Sequence, residues 1–393
     1  MDTENKQPKR EPRMSKIGGQ ALIEGIMMKG AFKSAMACRL PNGEIEIEVW
    51  ENKYGKNPPW YRKAPFIRGS VNMVSQLIEG YKCLMKSADK QMQEDPELEA
   101  FIKWYRREKL DTLEHDKAVE AYNEWKLTDE AHPEPEKKDS SAKEDSVPEK
   151  TEKGELPDFD KRVEQMNGYN YEEPTKFDNW LNEHCSEKVV GVISVLTVII
   201  SVALCFLMFM YVPSFVTKLF GIESTIIKNI IEGVVKVSLF VLYSWLTSFM
   251  KDIRITYEYH GAEHKTIACI EAEDELTVAN IKNYTRFHPR CGTSFMFIVF
   301  FISVFVCCVV PLPWDNILLR TGGKLLLLPV IVGISYELIR IAGRTKNLFT
   351  KAISAPGLLI QRITTREPND RQIEVAIAAV KPCIPENKED DVW

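Results

Sequence analysis

From Val189 to Thr217 the chain carries no charged residue. About 20 consecutive apolar residues suffice to cross the hydrocarbon core of a bilayer, so this run is read as a first membrane span. A second uncharged stretch, Phe295–Pro313, is rich in Phe, Val and Ile and continues well beyond the length of a soluble strand. Gly322–Gly343 contains LLLLPVIVGISYELIRI and reads as a further span, interrupted by Glu337 and Arg340. At i,i+3 these two share a helix face and are expected to neutralise each other. Between the first two runs lies Ile226–Met250, with Glu232 and Lys236 in its first half. They stand at i,i+4 with the acid first, so they can pair on one face of a spanning helix. The competing reading of this segment is an amphipathic helix lying in the interface.

Four spans in this order give an even crossing number, and the Lys/Arg distribution orients them. The loop 251–294 carries Lys251, Arg254, Lys265, Lys282, Arg286 and Arg290, and the stretch after the last span carries Arg344, Lys346, Lys351, Arg362 and Arg366. The loops between spans one and two and between spans three and four are poor in basic residues. Both ends of the chain and the 251–294 loop are therefore expected in the cytosol, and the protein in the cell membrane. The opening MDTENKQPKREPRMSK lacks the apolar centre of a signal peptide, which leaves the first span as the targeting signal.

Whole-chain composition conceals this organisation. The 45% of hydrophobic residues and net charge of -5 resemble a soluble protein, but the apolar residues are segregated into 189–349. The acidic excess comes largely from one insert, and no basic cluster has interleaved aromatics, which argues against a nucleic-acid partner. Cys205, Cys307 and Cys308 sit within apolar runs and read as packing residues, and no cysteine spacing suggests a disulfide framework.

The fold class expected is mainly α: a polytopic membrane protein of about four transmembrane helices, with a small N-terminal α+β cytosolic part and a disordered acidic insert. Residues 1–16 read as a disordered N-terminus. Within 17–90, the segment AMACRLPNGEIEIEVW (35–50) reads as a β-hairpin, with Asn42-Gly43 as a type I′ turn and period-two alternation after it. A helix over 66–90 follows Pro65, its apolar residues Ile67, Val71, Val74, Ile78, Tyr81 and Met85 recurring every three or four positions. It could pack on the spans or lie in the interface. Residues 91–187 form a charged insert. Its first part, 94–126, looks helical with Trp104, Leu110, Leu113 and Trp125 as contacts, and Thr128–Glu155 is too rich in Pro, Glu, Lys, Asp and Ser to bury a core. The transmembrane region is 188–349, and 350–393 is a C-terminal cytosolic segment. There Pro356-Gly357 reads as a break between helices, and an apolar-faced helix at 372–380 is expected to dock.

Chemistry concentrates in the 251–294 loop, RITYEYHGAEHKTIACIEAEDELTVANIKNYTRFHPRCGTSF. His260-Gly-Ala-Glu263-His264 has the form H-x-x-E-H. On a helix the i,i+4 imidazoles share a face. Two neutral imidazoles suit a borderline cation such as Zn2+, and an adjacent carboxylate can take a proton from water there. His288-Pro-Arg-Cys291 brings another imidazole and a thiol, so His260, His264, His288 and Cys291 are the candidate metal ligands and Glu263 the candidate catalytic base; Glu271 is a further possible ligand. Two features oppose this. Arg254–Tyr259 alternates like a strand, and Gly261 costs a helix about 1 kcal/mol relative to Ala. The Gly-rich start IGGQALIEGIMMKG matches neither a dinucleotide fingerprint nor a P-loop and reads as closely packed backbone around Glu24.

Several stretches, taken together and in order, resemble the YqhQ-like family of bacterial membrane proteins, domain of unknown function 1385: GGQALIEGIMMKG, RGSVNM (68–73), YHGAEHKTIACIE, HPRCGTSF and APGLLIQRITTREPNDRQIEVAIAA. The resemblance implies a predicted metal-dependent enzyme, with His260, Glu263, His264, His288 and Cys291 on the motif positions. The chain departs from that pattern in its long charged insert, roughly 91–175. The expected function is a membrane-bound, metal-dependent hydrolase. The alternative is a non-catalytic assembly or interaction factor with a structural His/Cys loop and a membrane or cytosolic protein partner. A solute transporter built on Glu232, Lys236, Glu337 and Arg340 is a weaker third reading, since no repeat is visible.

Overall fold

In a computed structural model of the chain, the described residues are 14–55, 58–91, 96–110, 115–128, 187–310, 312–344 and 348–387, with isolated positions at 159, 162, 163, 166 and 390. The expected N-terminal tail through residue 13 and the charged linker from 129 lie outside them. The fold is mainly helical with one four-stranded antiparallel sheet near the start. The chain divides into two compact units. One comprises Met1–Cys38, Ile47–Ser87 and Phe177–Trp393; the other comprises Arg39–Glu46 and Ala88–Lys176.

The sheet runs in sequence order, β1 (Gly18–Leu22), β2 (Gly25–Lys29), β3 (Lys33–Arg39) and β4 (Ile45–Glu51). The Gly-rich start is thus a hairpin, registered from Gly18 opposite Lys29 to Leu22 opposite Gly25. The expected 35–50 hairpin forms as β3 and β4, but its turn differs from type I′. Gly43 adopts φ 88° whereas Asn42 does not reach positive φ, and a type I′ turn needs both. The Gly43 amide donates to the Leu40 carbonyl at 2.9 Å, so Pro41, with φ fixed near -65°, occupies the first corner instead.

In the smaller unit, helices α2 (Pro96–Arg107) and α3 (His115–Trp125) bury Phe101, Trp104, Leu110, Tyr122 and Trp125 together. Trp104 and Trp125 stack with centroids 4.8 Å apart. Three of the contacts expected from sequence are therefore buried, and the fourth, Leu113, falls outside the described residues.

In the larger unit, α1 (Ile67–Gln91) precedes the apolar helices. The first expected span becomes α4 (Glu187–Phe206), a π-helical turn at Leu207–Tyr211, and α5 (Val212–Leu219). The widened turn comes just before Pro213, which has no N–H to give the ladder and whose ring crowds the preceding carbonyls. Then follow α6 (Thr225–Thr247), α7 (Lys251–Glu271), α8 (Val278–Lys282), α9 (Gly292–Val309), α10 (Ile317–Arg344), α11 (Leu348–Thr364) and α12 (Asp370–Val380). Among the described residues, two helical stretches, Leu196–Leu219 and Gly292–Val309, are long and apolar enough to cross a membrane. Leu196, Val198, Val202 and Leu204 are exposed on the first, Phe301 and Phe305 on the second.

Two expectations are corrected here and a third is extended. Arg254–Tyr259 is helical, within α7, where Arg254 reaches Glu258 at i,i+4 (3.4 Å) and ties the first turns together. Pro356-Gly357 does not break α11, which runs through both. Gly357 instead lets α11 press against α9, since a Cβ there would overlap Ser294. Glu337 feels Arg340 electrostatically, as the i,i+3 spacing predicts, and has partners beyond its own helix as well: it accepts from Arg68 Nε at 2.7 Å and from the Phe66 amide at 3.3 Å. With the Ser70 hydroxyl donating to the Pro329 carbonyl at 2.8 Å, this pair fastens the start of α1 to α10. The helix expected over 66–90 thus packs on an apolar helix and leaves Val74, Leu77, Ile78 and Tyr81 exposed.

Candidate metal centre

The site is assembled around α7. This helix is polar at its start but buried without interruption from Gly261 to Ile267, because β1 and β2 and helix α12 pack on it. His260 and His264 therefore stand one turn apart, with ring centroids 4.4 Å from each other. Gly261, a liability by helix propensity, has a packing reason. A Cβ there would overlap the Arg366 carbonyl oxygen, and the Arg366 amide donates to the Tyr257 carbonyl at 2.9 Å. The segment after α11 is thereby laid directly on α7.

That contact brings a backbone acceptor to the first imidazole. His260 Nδ1 lies 2.8 Å from the Thr364 carbonyl, and His264 Nδ1 lies 2.6 Å from the Arg286 carbonyl. A carbonyl can only accept, so both Nδ1 atoms carry hydrogen and, in the neutral rings, both lone pairs are on Nε2. His260 Nε2 lies 3.2 Å from Cys291 Sγ, and His264 also bonds that sulfur. The ligand atoms of His260, His264 and Cys291 all lie within 4.8 Å of one another. Around tetrahedral zinc, with bonds of 2.0–2.3 Å, neighbouring donors sit about 3.3–3.8 Å apart. The three residues fit such an ion with side-chain adjustments of about 1 Å.

Cys291 is the N-cap of α9, and the loop before it is clamped by Gln361 of α11. The Gln361 amide accepts from the His288 N–H (2.8 Å), donates to the His288 carbonyl (2.8 Å) and donates to Ser294 Oγ (3.0 Å). Glu263 is buried on the sheet side of α7. Its carboxylate accepts from the Gly19 amide of β1, and it acts electrostatically on His260, His264 and Cys291. Tyr259 donates to Glu24 at 3.0 Å, in the β1–β2 turn where Glu24 has positive φ.

His288 stands beside the three-residue group. Its ring centroid is 5.6 Å from that of His264, and its Nε2 lies 3.7 Å from Glu271 Oε2 and 3.5 Å from the Arg290 guanidinium. Glu271 is engaged by Arg290 and by the Ser15 amide (3.0 Å).

The electrostatics follow from burial and mutual proximity. Burial alone would raise the Cys291 thiol, but the two imidazoles outweigh it and hold the thiol well below its ordinary range. Burial opposes the charged form of His260, yet the Cys291 sulfur beside it pushes this imidazole up to about 9. Burial dominates at His288 and brings it down to about 4. It dominates also at Glu263, whose carboxyl is raised despite the pull of His260 and His264. A thiol already inclined to lose its proton is the state a soft or borderline cation requires.

A helical protein with a buried, carbonyl-oriented His/His/Cys group beside a carboxyl is the class this geometry defines. The chain belongs to the family described as a protein of unknown function, DUF1385, whose model matches residues 64–386. It is 28% identical to the uncharacterized protein YqhQ of Bacillus subtilis (strain 168) over 365 residues, covering 92% of this chain and 89% of that one. No solved structure matches. Gln361, Thr364 and the Arg286 carbonyl were not singled out from sequence. A lone amide inside the apolar run LLIQRI was the available signal for Gln361, whereas backbone acceptors leave no residue-type signal.

Proposed function

We propose that the protein is a four-span membrane protein carrying a zinc-type centre at its cytosolic face, with His260, His264 and Cys291 as ligands, acting as a metal-dependent hydrolase. The observation that carries this reading is the fixing of both imidazoles through Nδ1 to backbone carbonyls, with both Nε2 atoms turned toward one thiol. Histidines that bind metals characteristically donate their other N–H in this way. A bound ion would supply Lewis acidity and ease deprotonation of water. The raised carboxyl of Glu263 is a stronger base than an ordinary carboxylate and so is better suited to receive that proton, and the Gly19 amide holds it in place. His288, neutral at this pH, lies alongside as a hydrogen-bonding neighbour.

The four-span reading is supported by where the charges of α6 and α10 lie. Glu232, Lys236, Arg320 and Lys324 turn toward one another inside the bundle, while Ile226, Ile230, Val234, Leu318, Leu325 and Leu326 are exposed. At 1.5 Å per residue both helices exceed the ~30 Å hydrocarbon thickness. The basic residues around α7 and after α10 favour the cytosol for the site.

Metal analysis of the purified chain tests the centre: about one zinc per chain is expected, lost in His264→Ala. Glu263→Gln tests the chemistry. It should retain zinc and co-purify with a bound small molecule or peptide that wild type turns over, visible by mass spectrometry. A wild-type chain without stoichiometric metal defeats the proposal. Zinc with identical co-purified material in both proteins defeats the hydrolase and leaves a structural clip.

A further inference from the structure

A second polar cluster lies at the other end of α9 from the metal centre. Asn229 of α6 donates to the Cys307 carbonyl at 2.7 Å, and Cys307 stands 16 residues beyond Cys291, or about 24 Å along a helix. Here Glu232 is ringed by three cations. Arg320 Nη2 reaches its Oε2 at 2.6 Å, Lys236 Nζ its Oε1 at 3.0 Å, and Lys324 also pairs with Oε1. Ser214 Oγ adds a hydrogen bond at 3.3 Å, and Asn229 Oδ1 accepts from Arg320 at 2.8 Å. Glu232 is 3% exposed and Arg320 3%.

The charges do not balance. Among the described residues, Glu232 is the one acid ion-paired with these three cations, which leaves an excess of two positive charges in a buried setting. Burying an uncompensated charge is strongly unfavourable. The hydrogen bonding is deficient in the same sense. Arg320 Nε and Trp314 Nε1 are buried donors without an acceptor among the described residues, and they lie together, the guanidinium carbon 3.4 Å over the Trp314 ring. Lys228 Nζ is 5.5 Å from the same ring. Every missing partner is an acceptor and the missing charge is negative.

We propose that this cluster binds a phosphate group, held by Arg320, Lys324 and Lys236 with Trp314 at its rim. Arginine and lysine together, with donors left over on arginine and indole, match the several acceptor oxygens of a phosphate. The source is either an anionic lipid headgroup, as in basic pockets between membrane helices, or a free phosphate. Glu232 then serves to hold the cations apart at fixed positions. The site is independent of the metal centre and of its chemistry.

The full chain in phosphatidylcholine nanodiscs provides the test, with thermal unfolding and native mass spectrometry as readouts. Phosphatidylglycerol or millimolar inorganic phosphate is added in separate arms. Stabilisation by the lipid alone identifies a headgroup site, and stabilisation by both identifies a site open to small anions. Lys324→Gln should weaken the apparent affinity by about ten-fold, the loss of one charge–charge contact of roughly 1.4 kcal/mol. Glu232→Gln should strengthen it, whereas a cluster serving only to join helices would gain nothing from that change. Should Lys324→Gln fail to fold, Lys236→Gln on the other helix takes its place. Wild type indifferent to both additives overturns the proposal, as does unchanged affinity in the folded lysine variants, which would mean those lysines are neutral.

Discussion

His260 Nε2 lies 3.2 Å from Cys291 Sγ, although the two residues are 31 positions apart. One is set by the middle of α7 and the other by the cap of α9. Neither helix alone aims its residue; the last turn of α11 does, through Thr364 at the imidazole and Gln361 at the loop before the thiol.

Gln361 therefore acts on the centre through the loop it clamps. Gln361→Met removes three hydrogen bonds and leaves the His288 backbone groups buried and unpaired. Zinc affinity by competition titration should fall about 10–100-fold with all three ligands intact. Unchanged affinity would show that the loop holds itself.

Gly261 makes a prediction opposed to propensity. Ala is favoured in a helix over Gly by about 1 kcal/mol, yet Gly261→Ala should destabilise by roughly 1–3 kcal/mol, because its Cβ displaces the Arg366 backbone. Gly322→Ala in α10, with open space around the added carbon, should be neutral or slightly stabilising. Thermal unfolding of the pair distinguishes packing from propensity.

Acid sensitivity is traceable to His288. Its folded value of about 4 lies below the ordinary imidazole value of 6.5. The stability it contributes is therefore complete above pH 6.5 and is lost as pH falls through about 4. By pH 5 the loss amounts to about 2 kcal/mol. Metal-free His288→Asn should lose that much less stability than wild type between pH 7 and pH 5. The raised carboxyl of Glu263 works in the opposite sense in both proteins and cancels in the comparison. Equal losses would dispose of the assignment.

The fastening of α1 to α10 can be measured by double-mutant cycles. Arg68→Met and Glu337→Gln should couple by about 1–3 kcal/mol, since the pair is mostly buried and bonded through two guanidinium nitrogens. Glu337 and Arg340 should couple less. A larger coupling for the second pair would make the i,i+3 interaction the dominant one.

Much of the helical framework was legible because long uncharged runs have few alternatives, and the expected boundaries fall within a few residues of α6, α9 and α10. The i,i+4 pairing of Glu232 with Lys236 was readable for a similar reason: it is local. What was illegible was non-local. Arg320 and Lys324 join that pair across helices, and Arg68 reaches Glu337 from 269 positions away. At the site, the H-x-x-E-H pattern located the imidazoles. The local alternation of Arg254–Tyr259 pointed to a strand because period-two patterning over six residues cannot outweigh a buried helical turn that begins just beyond it. The Gly-rich start reads from sequence only as closely packed backbone around Glu24, since its glycines carry little β-propensity; burial between neighbouring strands and helices makes it a hairpin.

Because the first imidazole takes its orientation from the Thr364 carbonyl, the centre cannot assemble on a growing chain when His260 and Cys291 emerge from the ribosome. On the function proposed above, metal capture would therefore wait until α11 has been made and folded back. A translation product interrupted before Thr364 would carry all three donors and still lack the means to aim them, so any metal loaded would mark a chain extended past that residue.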